Sequence, residues 1–74
     1  MNRKVFDSGF AALNEGGAPK SVLAEMPGGA GVLLARNGRA YYRDINGAGL
    51  LIEHPGGKAF FVPYETIRAL AAEY

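Results

Sequence analysis

Between Gly31 and Val62 the chain carries two turn signals, each flanked by apolar runs, and these commit this stretch to consecutive β-hairpins. Leu33-Leu34-Ala35-Arg36 enters Asn37-Gly38 and leaves through Arg39-Ala40-Tyr41-Tyr42. Asn-Gly favours a two-residue type I′ turn, because both central positions need positive φ and the turn then matches the strand twist. A two-residue loop sets the register: Arg36 faces Arg39, Ala35 faces Ala40, Leu34 faces Tyr41 and Leu33 faces Tyr42. One face then holds Leu33, Ala35, Ala40 and Tyr42. The other holds Val32, Leu34, Tyr41, Arg36, Arg39 and Arg43, so neither is purely polar, as in a curled sheet or a dimer.

The second hairpin runs from Leu50-Leu51-Ile52-Glu53-His54 through Pro55-Gly56-Gly57 to Lys58-Ala59-Phe60-Phe61-Val62. Proline suits the first turn position and glycine a left-handed one. The pairing gathers Leu50, Ile52, Phe60 and Val62 on the most apolar face of the chain, the expected core. Asn46-Gly47-Ala48-Gly49 reads as the connection between the hairpins.

The flanks are less constrained. Phe6, Phe10 and Leu13 share a helical face, with Asp7 or Ser8 as candidate N-cap and Gly16-Gly17 as the stop. Gly9 weakens that helix, and a strand over Arg3–Phe6 competes with it. Ala18-Pro19-Lys20 is a linker. Ser21–Met26 reads as a strand with Val22, Ala24 and Met26 on one face, ended by Pro27-Gly28-Gly29-Ala30-Gly31. At the C-terminus Tyr64, Ile67, Leu70, Ala71 and Tyr74 follow helical spacing, with Pro63 at the entry and Glu65 in the first turn. The expected order is therefore α-β-β-β-β-β-α. It describes one α+β, mainly β domain over residues 1–74: a small five-stranded antiparallel sheet or partly open barrel, with a short N-terminal helix and a C-terminal helix.

At 74 residues a chain has a small core, and disulfides, metals or self-association usually supplement it. There is no cysteine and a single histidine, His54, which leaves self-association, and the 49% apolar content suits it. No cofactor and no metal site is expected. A net charge of +1 is small for a protein that holds nucleic acid mainly by neutralising phosphates. The basic start Met1-Asn2-Arg3-Lys4 is not followed by an apolar run of signal-peptide length, and nothing approaches a membrane span. A soluble cytoplasmic protein without membrane contact is the expectation.

Motifs that carry chemistry are sparse. Gly16-Gly17-Ala18-Pro19-Lys20-Ser21 and Pro55-Gly56-Gly57-Lys58 imitate a phosphate loop but lack its spacing and its strand-to-helix setting. Glu53 and His54 are strand neighbours that point to opposite faces, so they form no dyad. The carboxylates are dispersed, and Ser8, Ser21 and Thr66 stand alone, so no enzyme is expected. The residues that do stand out are Arg36, Arg39 and Arg43 beside Tyr41, with Lys58 on the next hairpin. Like charges facing each other across strands are destabilising, so Arg36 and Arg39 invite water, an anion or an acidic partner to offset them.

A short helix followed by five strands in a chain of this length resembles the SH3-like and Sm-like small barrels in outline. The resemblance rests on strand count and turn placement, and the signature residues of Sm-like RNA-binding proteins are not present. It carries no functional residue with it. Two expectations follow. One is a small non-enzymatic protein, self-associating, that acts as a regulator, adaptor or inhibitor by binding another protein. The alternative is a nucleic-acid-binding module that uses Arg36, Arg39, Tyr41, Arg43 and Lys58.

Overall fold

In the computed structural model, which describes all 74 residues, one helix packs against two antiparallel sheets. Helix α1 (Arg3–Asn14) begins at Asn2, whose Oδ1 accepts the Val5 amide at 2.8 Å. The cap is thus Asn2 rather than Asp7 or Ser8, and the competing strand over Arg3–Phe6 does not form. The earlier start brings Phe6 fully under the sheets, with Phe10 and Leu13 half-buried beside it. Gly9 belongs inside this helix because a Cβ there would meet Leu70 Cδ1 at 3.3 Å.

Strand β1 (Ser21–Glu25) has Val22 and Ala24 buried, as its alternation predicts. It pairs with β2 (Gly31–Arg36), and β2 pairs with β3 (Arg39–Ala40). A register shift against Val22 and Leu23 leaves Leu34 unmatched between Ala35 and Leu33, and both Leu34 and Ala35 are buried. The Asn37-Gly38 turn has φ of 50° and 81° at its two residues, and Arg36 pairs with Arg39 and Ala35 with Ala40 as the turn chemistry requires.

Beyond that point the expected hairpin gives way. At Tyr41 the strand leaves the first sheet: its amide donates to Leu34 O at 2.8 Å, while its carbonyl accepts from Glu53 N at 2.7 Å. The next strand, β4 (Tyr42–Ile45), pairs with β5 (Gly49–Glu53), so Tyr42 faces Ile52 and not Leu33. Asn46-Gly47 is accordingly a hairpin loop of its own, with φ of 53° and 71°. Strand β5 also pairs with β6 (Ala59–Pro63), setting Leu50 opposite Val62 and Ile52 opposite Phe60. Leu50, Ile52 and Val62 are core, and Phe60 is exposed at the strand's end.

The expected C-terminal helix is absent. Tyr64–Thr66 makes one turn of 3-10 helix, and β7 (Ala69–Glu73) then lies antiparallel to β1, from Glu25 with Ala69 to Ser21 with Glu73. A helix of about ten residues is marginal unless packing supports it. Here the open edge of β1 offers main-chain partners that override the helical spacing. The result is a sheet ordered β3-β2-β1-β7 and a second ordered β4-β5-β6, rather than one five-stranded sheet, and the strands do not close into a barrel. The core lies between them under α1, where Phe6, Val22, Leu34, Leu50, Ile52 and Ile67 are almost inaccessible. No helix is long and apolar enough to cross a membrane.

Candidate functional site

Tyr41, which joins the two sheets, also forms the floor of the main surface concavity. An open hollow of about 410 Å³ is lined by Arg39, Ala40, Tyr41, Tyr42 and Arg43 from β3 and β4, and by Glu53, His54 and Pro55 from the end of β5. The bend explains the hollow. Where the strand passes from one sheet to the other, its two halves diverge and the β5–β6 loop forms the opposite wall.

Of the residues singled out from sequence, Arg39, Tyr41 and Arg43 come together here. Arg36 lies outside, paired with Arg39 across the β2–β3 turn, and Lys58 lies outside on the far limb of the β5–β6 hairpin. Arg43 Nε is 3.9 Å from Glu53 Oε1, a diagonal pair across β4 and β5 with both side chains well exposed. Such a pair contributes little to stability. Arg36, Arg39 and Lys58 have no carboxylate within ion-pair distance.

His54 follows directly on β5 and lines the hollow beside the Pro55-Gly56-Gly57 turn. Its Nε2 is 2.8 Å from Leu33 O and, because a carbonyl only accepts, donates to it. The imidazole sits edge-on between Tyr41 and Phe60, at centroid distances of 6.0 and 5.3 Å. This ties the β5–β6 loop to β2 in the other sheet. The Asn46-Gly47 pair held the signal for this grouping. Read as a hairpin turn, it pairs β4 with β5 and brings Glu53, beside His54, against Arg43.

The β4 side of the hollow is anchored to α1. Tyr42 packs edge-on against Phe6 and Phe10, at 5.5 and 5.2 Å. Burial, and to a smaller extent the nearby Asp7 carboxylate, push the Tyr42 phenol above its ordinary pKa, so it stays a neutral donor. The site therefore combines two tyrosines, two arginines, one histidine and one carboxylate. That set suits a flat or extended anionic group more than a small buried substrate. No three side chains of the kinds that ligate metals are grouped anywhere in the structure. No family model matches the chain, and neither does any curated protein or solved structure.

Proposed function

We propose that this chain is a small non-enzymatic interaction protein that self-associates and acts in the cytoplasm as a regulator, adaptor or inhibitor of another protein. The observation that carries the reading is β6, an edge strand of the second sheet on which Phe60 and Phe61 are 38% and 51% exposed. Exposed aromatic side chains on an unpaired strand edge are what protein association uses, and proteins that stay monomeric usually blunt such edges. We further read the two sheets as a partly open barrel of SH3-like outline. The bend at Tyr41 and the return of β7 to the side of β1 support that view.

Light scattering over a range of concentrations tests the first part, with a mass above that of one chain expected. A monomer at every concentration ends the self-association reading. Affinity capture from the native cell, compared between the wild type and a Phe60→Ala/Phe61→Ala variant, tests the second. A partner recovered by both equally would not be held by this edge.

A second reading has its own observation. Arg39, Tyr41 and Arg43 line one open hollow, and Arg39 has no carboxylate partner, a contact set that fits the phosphates and bases of a nucleic acid. A fluorescence anisotropy titration with a labelled oligonucleotide would show affinity falling as salt rises. Absence of binding at low ionic strength ends this reading.

A further inference from the structure

We propose that self-association occurs through β6 paired antiparallel with β6 of a second copy, about a two-fold axis at Phe61. This rests on the self-association reading above and specifies its surface.

The hydrogen-bond pattern of β6 can be followed residue by residue. His54 N donates to Lys58 O at 2.8 Å, and Tyr64 N donates to Ala48 O at 3.2 Å, at the two ends of the β5–β6 ladder. Backbone groups in an antiparallel pair alternate between facing the partner and facing away. Lys58, Phe60, Val62 and Tyr64 therefore turn their main chain toward β5. Ala59, Phe61 and Pro63 turn theirs outward, onto the free edge. Proline has no N–H, so that edge presents amides at Ala59 and Phe61 and carbonyls at all three positions.

This pattern is complementary to itself. With the axis at Phe61, the two Phe61 residues exchange both main-chain bonds, and each Ala59 amide meets the Pro63 carbonyl of the other copy. Every outward amide is satisfied, and the Ala59 carbonyl, which faces the missing N–H of Pro63, is left to water at the end of the ladder. The two exposed Phe61 rings become direct cross-strand neighbours. The same register carries Lys58 of each copy to the Tyr64–Thr66 turn of the other, which bears Glu65. Both of these side chains are exposed, and neither has an ion-pair partner within one chain.

The remaining edges are guarded. Strand β3 has two residues and ends on the facing Arg36 and Arg39. Strand β4 carries Arg43 and Asp44. Strand β7 is half-buried beside α1, where Leu70 touches Gly9 and the Tyr74 hydroxyl bonds to Leu13 O. Charged, short or covered edges resist pairing, which leaves β6 as the edge open to a second copy. An isologous contact of this kind closes at two chains.

Sedimentation equilibrium of the wild type, Phe61→Lys, Lys58→Glu, Glu65→Lys and the Lys58→Glu/Glu65→Lys double variant tests the proposal, with far-UV circular dichroism as the check on folding. A dimer is expected for the wild type and a monomer for Phe61→Lys. Each single charge reversal should raise the dissociation constant about tenfold, since two symmetry-related contacts turn repulsive, and the double reversal should restore it. Val5→Lys, at an exposed apolar position on α1, should leave the dimer intact. A dimer that persists in Phe61→Lys, that dissociates in Val5→Lys, or that the double reversal does not restore overturns the β6 pairing while self-association stands. An assembly larger than two overturns the two-fold, and a monomeric wild type overturns both.

Discussion

The Tyr64 hydroxyl donates to Asp44 Oδ1 at 2.5 Å, joining the turn before β7 to the end of β4. The other Asp44 oxygen accepts the Gly47 amide at 3.0 Å, and Arg3 Nε lies 3.6 Å from Oδ1. These contacts hold the carboxylate below its ordinary pKa, the Tyr64 bond contributing most and the Gly47 amide next. A carboxylate with a depressed folded pKa stabilises the fold above its unfolded value and loses that contribution as pH falls through the folded one. Melting temperature should therefore drop as the solution is acidified below about pH 4. In Tyr64→Phe the acid limb should flatten. An acid limb of unchanged slope in that variant would assign the effect to other carboxylates.

The same bond acts at the alkaline end. Burial first, and the Asp44 hydrogen bond second, push the Tyr64 phenol well above its ordinary value. Burial raises Tyr42 likewise. For a raised pKa the stabilisation is complete below the unfolded value, about 10 for tyrosine, and fades as pH rises past it. Phenolate absorbance from Tyr42 and Tyr64 should consequently appear only above the ordinary tyrosine range and together with unfolding. A single smooth titration with no loss of structure would contradict this.

Gly49 is set by space. A Cβ there would stand 2.4 Å from Val62 O, 2.8 Å from Pro63 Cα and 2.9 Å from Phe61 Cζ, two of them main-chain atoms that cannot yield without parting β5 from β6. Gly49→Ala should cost about 3 kcal/mol or more in urea unfolding, in the range of overpacked cores. Gly16→Ala, with nothing within 4 Å, should stay within about 0.5 kcal/mol of the wild type. Equal stability of the two variants would mean the strands open easily at this position.

How much of this was legible follows from how locally each feature is encoded. Asn37-Gly38 and the Leu50–Val62 pairing were readable because turn chemistry and alternation fix a register within a dozen residues. The bend at Tyr41 was not, since its two main-chain bonds go to Leu34 and to Glu53, whose positions depend on the whole fold. The last strand departs from its local pattern for a related reason. Tyr64, Ile67 and Leu70 satisfy helical spacing, yet Ile67 is buried in an extended segment and Leu70 faces α1, as the edge of β1 supplies bonds that no local pattern records. In the site, the arginines and Tyr41 stood out by type. His54 did not, because its value lies in reaching Leu33 across the molecule.

Arg36 and Arg39 occupy opposed positions at the β2–β3 turn, with no carboxylate near either. Facing like charges cost about 0.2–1 kcal/mol relative to a neutral pair, and salt screens the cost in part. Arg36→Ala should therefore raise stability by a few tenths of a kcal/mol at low salt, with the gain shrinking as salt is added. A residue retained against that cost is explained if the pair meets an anion. Under the nucleic-acid reading Arg36→Ala and Arg39→Ala should each weaken oligonucleotide binding and reduce its salt dependence by about one phosphate contact. Greater stability with binding unchanged would assign the two arginines to a solvated turn and leave the hollow around Tyr41 to a protein partner.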